Sequence, residues 1–243
     1  MPVVEVNNLK IAYNKTMAVK GISFTVNAGE AVGFLGSNGA GKSSTLKVLG
    51  GVLNPTGGTV IIDGFAMTDY HSSDKARNLV GYCPDVGGLI PQATLREHIG
   101  LSLSFHNRLE LWPQALELVS LFDLDYALDN IVSGFSHGMS RRASVILATI
   151  SSASLLILDE PFDGVDPMGV ESVSKVITMA KNAGIAVIVS THLQDILANL
   201  TDEILIMAKG EILGRFPSVE LAGPEGVAKY QRILVESGVK AHA

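Results

Sequence analysis

The sequence predicts an α/β domain with a mostly parallel sheet, and three observations support this prediction. Short apolar runs alternate with stretches of helical spacing along the 243 residues. A glycine-rich segment, Gly36–Ser43, connects an apolar run to a helix-like stretch. The mean hydropathy of +0.33 is high, and parallel strands that are apolar on both faces account for it.

The composition limits the kinds of protein that the chain can be. Its net charge of -6 argues against a nucleic-acid-binding surface, because such surfaces are usually basic. The single cysteine, Cys83, excludes an internal disulfide framework and suits a reducing cytoplasm. The N-terminus lacks the basic and apolar blocks of a signal peptide, and the longest apolar candidate, 143–158, is too short to span a membrane. We therefore expect one soluble domain over residues 1–243, without a nucleic-acid partner.

The apolar patterns predict strands and helices in a regular order. Alternating or continuous apolar residues predict strands over 3–9, 22–26, 31–35, 57–64, 78–83, 155–160, 185–190, 203–207 and 211–216. The strands nearest the N-terminus are expected to form an antiparallel β subdomain, and the last two are expected to form a hairpin. Helical spacing predicts helices from Thr45, between Thr94 and Leu128, after Ser136 as N-cap, and in the tail.

Residues from about 86 to 150 are expected to form a helical subdomain inserted between strands. Its apolar residues recur at helical intervals, and we expect them to face the core. They are Leu101, Phe105, Leu109, Leu116, Val119 and Phe122. Residues from about 217 to 243 are expected to form only a short tail, in which one small amphipathic helix packs on the domain.

The glycine-rich segment fits the pattern of a phosphate-binding loop, G-x-x-x-x-G-K-[ST]. Glycines let backbone N–H groups approach a phosphate chain closely, and the following helix directs its positive end towards that chain. Lys42 is expected to reach the β and γ phosphates, and the Ser43 hydroxyl to bind Mg²⁺. The expected nucleotide-binding residues are Gly36, Ser37, Asn38, Gly39, Ala40, Gly41, Lys42, Ser43 and Ser44. The segment therefore predicts a protein that binds a nucleoside triphosphate.

Two carboxylates follow the apolar run 155–158 and belong to the same predicted site. Asp159 is expected to hold Mg²⁺, and Glu160 to polarise an attacking water as general base. An isolated Asp-Glu pair is more often a solvated turn, but the buried strand before it and the upstream phosphate-binding loop favour a catalytic pair. His192, after the next predicted strand, is expected to bind the γ phosphate and orient the water. A strand-end histidine taken alone is structural about as often as catalytic.

These motifs together resemble the ATP-binding subunit of an ABC transporter over nearly the whole chain, from residue 3 to about residue 216. The phosphate-binding loop is followed, in the order of that family, by a signature motif at 135–139 and the magnesium-binding strand at 155–160. A D-loop at 164–166 and the switch histidine His192 come next. The resemblance implies the ABC ATPase fold, a P-loop NTPase core, with ATP, Mg²⁺ and ATP hydrolysis coupled to transmembrane transport.

The resemblance also concerns individual residues of the nucleotide site. Tyr13, which taken alone would be an ordinary strand aromatic, matches the residue that stacks on adenine in this family. The usual glutamine of the glutamine loop is replaced by Asp85. As an oxygen ligand, Asp85 is expected to contact Mg²⁺ or the attacking water, together with Ser43 and Asp159 at the metal.

The signature motif implies a second subunit. In this family the signature of one subunit closes over the phosphate-binding loop of another, in a head-to-tail pair with two-fold symmetry. The resemblance assigns Ser136, Gly138 and Asp166 to the nucleotide, whereas His137 and Met139 replace the family's usual glycine and glutamine. A homodimer and a heterodimer with a related subunit both agree with the sequence.

The resemblance further implies a separate transmembrane permease as partner. The chain is then a peripheral protein at the cytoplasmic face of a bacterial cell membrane. Its signature, Ser-x-Gly-Met, is similar to that of the drug- and peptide-export type, and its tail is too short for the regulatory domain of some importers. We therefore predict an ATPase that powers export of a small molecule or peptide.

Three alternatives agree less well with the residues. A GTPase would share the phosphate-binding loop, but the N-K-x-D element that reads guanine is missing. A soluble, non-transport ABC-type ATPase acting on ribosomes or DNA usually has two cassettes or a long coiled coil, and basic surfaces, unlike this acidic chain. A scaffold that binds ATP without turnover is disfavoured by Glu160 and His192 and stays open because of Asp85.

Overall fold

The computed structural model describes residues 2–69 and 72–238, which form two β-sheets with helices packed against them. Residue 1, residues 70 and 71, and residues 239–243 of the predicted tail lie outside the described residues. Within the described ranges the strands are β1 (Pro2–Tyr13), β2 (Thr16–Asn27), β3 (Ala31–Leu35), β4 (Gly57–Ile62), β5 (Phe65–Ala66), β6 (Val80–Cys83), β7 (Leu155–Asp159), β8 (Ala186–Thr191), β9 (Glu203–Ala208) and β10 (Glu211–Pro217).

Helices connect most of these strands. In the described part of the chain they are α1 (Lys42–Leu49), α2 (Ser73–Arg77), α3 (Leu95–Phe105), α4 (Trp112–Leu121), α5 (His137–Ser151), α6 (Pro167–Asn182), α7 (Gln194–Leu200) and α8 (Gly223–Glu236). Short 3-10 helices lie at Leu109–Leu111, Asp125–Ala127, Val132–Gly134 and Ser218–Leu221. Among the residues that the structure describes, none of the helices combines the length and the apolar character that crossing a bilayer requires.

The first sheet is antiparallel, with the strand order β2-β1-β4-β5. Residues Val4, Val6 and Leu9 of β1 are buried, and they share one core with Phe34 of β3 and Leu46 of α1. The apolar face of this sheet therefore packs towards the strand and helix that flank the phosphate-binding loop. The antiparallel β subdomain predicted near the N-terminus is confirmed.

The second sheet has the strand order β10-β9-β3-β8-β7-β6. Its neighbours are parallel except for the β9–β10 hairpin, which is antiparallel as predicted. All residues of β3, β7 and β8 are buried, because core clusters cover both faces of the sheet. Burial on both faces explains the continuous apolar runs in these strands and the high mean hydropathy. The predicted mostly parallel sheet is confirmed.

The parallel strands bring the site residues to one edge of this sheet. In the register of β3 and β8, Leu35 pairs with Thr191. In the register of β7 and β8, Asp159 pairs with Ser190. The phosphate-binding loop follows β3, and His192 follows β8, so the carboxyl ends of three adjacent strands carry the functional residues.

The helices α3, α4 and α5 lie between β6 and β7 in the chain, as the prediction of an inserted helical subdomain requires. Its predicted apolar face is wrong in part, since Leu101, Phe105 and Leu109 are 43%, 77% and 59% exposed. The side chains that α3 buries apart from His98 are Leu95, Ile99 and Leu103. The spacing predicted the wrong face for two reasons. Helix α3 carries two series of apolar residues at helical intervals, and only one of them is buried. The helix also ends at Phe105, so Phe105 and Leu109 do not belong to one continuous helix.

Several element boundaries differ from the predictions for identifiable reasons. Strand β1 extends to Tyr13, beyond its predicted end at residue 9. Register shifts near Asn8 interrupt the alternation of buried and exposed residues, so the sequence pattern did not mark this extension. Helix α6 was not among the predicted elements, although Asp166 caps it and Pro167 occupies its first position. The helix expected in the tail is α8, whose Leu234 is buried.

Candidate active site

The phosphate-binding loop lies between β3 and α1, and its glycines have specific roles. Gly41, at the N-cap of α1, has a φ of 107°, and Gly39 has a φ of 80°, values that favour glycine. A Cβ atom on Gly36 would lie 2.3 Å from the carbonyl oxygen of Met207. The path of the loop therefore favours glycine at positions 39 and 41 and leaves no room for a side chain at position 36. Residues 37–44 line a cleft of about 120 Å³ together with Asp85 and Glu160.

Lys42 is the first residue of α1, and its side chain is only 5% exposed. Its ammonium group donates a hydrogen bond to the carbonyl of Gly36 at 2.7 Å. The same nitrogen lies 3.4 Å from Oε1 of Glu160. Both partners are oxygen atoms at the cleft, so the ammonium group is held where a phosphate oxygen could replace one of them.

Asp159 ends β7 and is fully buried. Its Oδ1 atom accepts hydrogen bonds from the hydroxyls of Ser43, at 3.1 Å, and Ser190, at 2.5 Å. Its Oδ2 atom is buried without a hydrogen-bond partner among the described residues. Burial raises the pKa of the Asp159 carboxyl, because the charged form loses its hydration, and the bonds from Ser190 and Ser43 act in the opposite direction.

The donor set around Asp159 fits a magnesium ion. Within residues 2–69 and 72–238, no group of three or more His, Cys, Asp or Glu side chains is arranged to hold a metal ion. Mg²⁺ does not need such a group, since it typically takes one or two protein ligands and completes its shell with phosphate oxygens and water. The partnerless Oδ2 of Asp159 and the Ser43 hydroxyl are oxygen ligands of this kind.

Glu160 and His192 form the second half of the cleft. Glu160 adopts a left-handed φ of 48°, and its backbone N–H donates to the carbonyl oxygen of Ser190 at 3.0 Å. Its Oε2 atom lies 3.3 Å from Nδ1 of His192. The Glu160 side chain is 12% exposed, whereas that of His192 is 55% exposed. A shielded carboxylate that is held by an imidazole and faces a lysine has the arrangement of a general base with an orienting partner.

Tyr13 ends β1 on the side of the phosphate-binding loop. It is 44% exposed, and its hydroxyl donates a hydrogen bond to Oγ of Ser44 at 3.3 Å. A partly exposed aromatic ring beside the loop offers a flat apolar surface of the kind that stacks on a base. The role of Tyr13 in stacking on adenine stays a prediction.

The residues of the predicted signature and D-loop lie apart from the cleft lining. Ser136 caps α5, and its hydroxyl accepts from the N–H of Met139 at 3.2 Å. Asp166 caps α6 by accepting from Gly169 at 2.8 Å. None of the described residues Ser136, Gly138 and Asp166 lines the cleft that contains the phosphate-binding loop. Within one chain, the structure therefore does not bring the signature to the phosphate-binding loop.

Two residues of the site were missed by sequence reasoning. Ser190 is the penultimate residue of β8 and binds both Asp159 and the backbone of Glu160. Its position at the end of a predicted apolar strand, two residues before His192, was a usable signal. Arg141 of α5 is buried, and its guanidinium donates to the carbonyl of Pro84 at 2.8 Å. No local pattern indicated that this arginine contacts Asp85 of the cleft wall.

Comparisons with known proteins agree with this geometry. Residues 19–163 match the family model described as ABC transporter. The lipopolysaccharide export system ATP-binding protein LptB of Haemophilus influenzae is 29% identical over 238 residues, which cover 96% of this chain and 95% of that protein.

Solved structures share the fold. A structure described as the ATP binding subunit of an ABC transporter matches with a TM-score of 0.83 and 26% identity, over 99% of this chain and 95% of that chain. The dimeric structure of a bacterial ABC transporter cassette has the same fold, with a TM-score of 0.81 and 24% identity, over 88% of this chain and 98% of that chain. Because the family model spans more than half of the sequence and the relative aligns over nearly all of it, the chain belongs to the ABC transporter family, as one of its ATP-binding and ATP-hydrolysing subunits.

Proposed function

We propose that this ATPase subunit powers export through a separate membrane permease by closing as a head-to-tail dimer around two molecules of ATP with Mg²⁺. The dimer opens again after hydrolysis. The observation that carries the proposal is the chain of contacts from Lys42 through Glu160 to His192 at the phosphate-binding loop. It groups a phosphate-binding cation, a base and the residue that orients the base, as hydrolysis of a γ phosphate requires.

The loop 36–44 is proposed to bind the triphosphate. Residues 42–44 at the start of α1 line the cleft, and the N-terminus of a helix favours negative charge. Lys42 then exchanges the Gly36 carbonyl or Glu160 for an oxygen of the β or γ phosphate. Tyr13 is proposed to stack on adenine, which its exposed ring and its bond to Ser44 support.

Magnesium is proposed to bind Ser43 and Asp159, and to meet Asp85 directly or through a water molecule. The partnerless Oδ2 of the buried Asp159 supports this assignment, because a bound cation would compensate that atom. When bound, the ion supplies positive charge to the β and γ phosphates during transfer. Asp85 lines the cleft and is 42% exposed.

Glu160 is the proposed general base. It accepts a proton from the attacking water, while its second oxygen stays close to His192. His192 is also proposed to contact the γ phosphate, as its exposed position at the end of β8 allows. The low exposure of Glu160 strengthens its electrostatic interactions with the water and with Lys42.

A second subunit is proposed to supply Ser136, Gly138 and Asp166 to the nucleotide. These residues do not line the cleft of their own chain, which supports a role at the site of a second subunit. Ser136 and Gly138 lie at the N-terminus of α5, where backbone N–H groups favour a phosphate. Since this chain contains both halves of such a site, we propose a homodimer, with a heterodimer as the alternative.

The working location is proposed to be the cytoplasmic face of a bacterial cell membrane, where the chain binds a permease encoded separately. Residues 1–243 form a single ATPase domain in this proposal, with the helical subdomain at about 86–150 and the tail at about 217–243. The name of the Haemophilus relative refers to export, which supports that direction. A small molecule or peptide is the proposed cargo, and the net charge of -6 supports a role without nucleic acid.

The test is purification of the tagged chain from detergent-solubilised native membranes, with bound proteins identified by mass spectrometry. A polytopic membrane protein is expected in stoichiometric amount, together with an ATPase activity that Glu160→Gln lowers by roughly a hundredfold or more. Recovery with ribosomes or DNA, and absence from membranes, would contradict the proposal and favour the soluble alternative.

A further inference from the structure

Arg141 is a buried arginine that donates to several acceptors near the nucleotide cleft. It lies one turn into α5, and it is only 4% exposed. Its guanidinium donates to the backbone carbonyls of Pro84 at 2.8 Å, Asp159 at 3.3 Å and Asp85 at 2.5 Å. It also donates to the carboxylate of Asp85, with 3.1 Å between Nη2 and Oδ1. The arginine thus joins the start of α5 to the ends of β6 and β7.

The charge of this arginine needs a partner. A buried guanidinium loses much of its hydration, and this loss is compensated only by an anion with good geometry and by further hydrogen bonds. In the described part of the chain, Asp85 is the carboxylate that forms an ion pair with Arg141. The three carbonyls satisfy other donors but supply no negative charge.

The carboxylate of Asp85 places a negative charge in the wall of the nucleotide cleft. Asp85 lines the same cleft as residues 37–44 and Glu160, and Lys42 is the one cation among the lining residues. An uncompensated carboxylate in this wall would repel a triphosphate, and the repulsion is strongest in the absence of Mg²⁺. Arg141 donates to one oxygen of this carboxylate, Oδ1, while Asp85 still lines the cleft.

We propose that Arg141 is a positioning residue, which fixes the Asp85 carboxylate in the cleft wall and cancels its charge, so that the pair admits a triphosphate. The inference rests on the proposed function, because it assumes that the cleft binds ATP. It assigns no chemistry to Arg141 itself. Since Arg141 and the signature serine Ser136 belong to the same end of α5, the pair also holds the signature helix against the nucleotide site of its own chain.

The test is a double-mutant cycle with Arg141→Gln, Asp85→Asn and the double variant. The probe is a fluorescent ATP analogue, mant-ATP, titrated in EDTA so that metal ligation by Asp85 does not contribute. We expect Asp85→Asn to tighten mant-ATP binding roughly threefold to tenfold, because the charge of Arg141 is then released towards the phosphates. Arg141→Gln should weaken binding by a similar factor, and the double variant should return to within about twofold of the wild type.

A matched control removes a different ion pair. Arg96 of α3 binds Asp129 through two hydrogen bonds of 2.6 and 3.0 Å, and it does not line the cleft. Arg96→Gln changes the net charge by the same amount, so we expect mant-ATP affinity within about twofold of wild type. Thermal unfolding of every variant separates loss of affinity from loss of fold.

A purely structural role for Arg141 gives different results. Binding would then be weaker in Asp85→Asn, and the loss caused by Arg141→Gln would persist in the double variant. Either result overturns the inference. If Arg141→Gln does not fold, Asp85→Asn alone still decides, since unchanged or weaker binding of mant-ATP contradicts the charge balance. If the wild type itself does not bind mant-ATP, the proposed function fails together with the inference. If the wild type binds mant-ATP but the variants do not follow the expected pattern, only the inference about Arg141 fails.

Discussion

The ammonium nitrogen of Lys42 lies 3.4 Å from Oε1 of Glu160 and donates to the Gly36 carbonyl at 2.7 Å. The phosphate-binding cation and the proposed base therefore already contact each other at the cleft. A nucleotide that engages Lys42 also changes the surroundings of Glu160. Binding and activation of the base are in this way connected through a single ion pair.

The first prediction concerns Lys42. Lys42→Ala removes a buried, charge-assisted contact to the phosphates, so we expect ATP affinity to fall roughly a hundredfold. Isothermal titration calorimetry measures the change. Lys175→Ala is a matched control, because Lys175 is 54% exposed and pairs with Glu171 on α6 away from the cleft. Equal ATP affinity in Lys42→Ala and wild type would refute the assignment of the nucleotide site.

Glu160→Gln should separate binding from hydrolysis. The amide keeps the size of the side chain but cannot accept the proton of water, so kcat is expected to fall by roughly a hundredfold to ten-thousandfold. ATP should still bind, and the variant should elute as a dimer in size-exclusion chromatography when ATP is present. Glu171→Gln on α6 serves as control and should keep both the turnover and the monomer–dimer equilibrium. Turnover of Glu160→Gln at the wild-type rate would show that another group is the base.

His192 is expected to affect turnover more than binding. Its Nδ1 atom lies 3.3 Å from the Glu160 carboxylate, so His192→Ala releases the orientation of that group. We expect kcat to fall roughly tenfold to a hundredfold, with ATP affinity nearly unchanged. His192→Gln keeps a hydrogen-bonding group and should retain part of the activity. A steady-state ATPase assay checks both variants, and a loss confined to KM would contradict the orienting role.

Asp159→Asn should stabilise the chain without ligands and abolish its response to magnesium. Burial raises the pKa of Asp159 in the folded protein, so the folded state loses stability as pH rises from the pKa of the unfolded chain through that raised pKa. The amide removes this cost, and we expect a gain of about 1 kcal/mol in the free energy of unfolding without ATP.

The same variant has lost a proposed magnesium ligand. We therefore expect Mg²⁺ to add nothing to the thermal stabilisation of Asp159→Asn by ATP, whereas it should add several degrees in the wild type. Differential scanning fluorimetry with ATP, with and without EDTA, measures both effects. A magnesium response equal to that of the wild type would remove Asp159 from the metal site.

The signature serine can be tested with its capping role held constant. The Ser136 hydroxyl accepts the N–H of Met139, and aspartate caps a helix about as well as serine. Ser136→Asp is therefore expected to change the free energy of unfolding by less than about 0.5 kcal/mol. Its negative charge would face a phosphate of the second subunit, so ATP-dependent dimers should disappear in the Glu160→Gln background. Dimers that persist in the double variant would contradict the proposed contact.

Much of the fold could be predicted because local chemistry and tertiary structure agree. The continuous apolar runs in β3, β7 and β8 correspond to strands that are buried on both faces. The serine before α5 was a sufficient N-cap signal, since the hydroxyl indeed accepts a backbone N–H. The order of strands in the sheet was not accessible in this way, because it depends on contacts distant in sequence.

The buried face of α3 could not be predicted from spacing alone. Both Ile99 and Leu101 belong to apolar sets at helical intervals, yet Ile99 is fully buried and Leu101 is 43% exposed. Periodicity predicts that a helix has an apolar face, but where two such faces exist the packing of neighbouring helices determines which one is buried. The same limit applies to Arg141 and Asp85, which are 56 positions apart and meet only because α5 packs against β6.

Cys83 gives the protein a practical property. It is the only cysteine of the sequence, it is fully buried in β6, and burial raises the pKa of its thiol to about 12. A thiol in that environment does not react with maleimide or nitroxide reagents at neutral pH. A cysteine introduced at an exposed position, such as Ser104→Cys on α3, would therefore take up the label alone. The unaltered chain is thus a ready background for distance measurements by spectroscopy, in which the approach of two subunits can be followed directly.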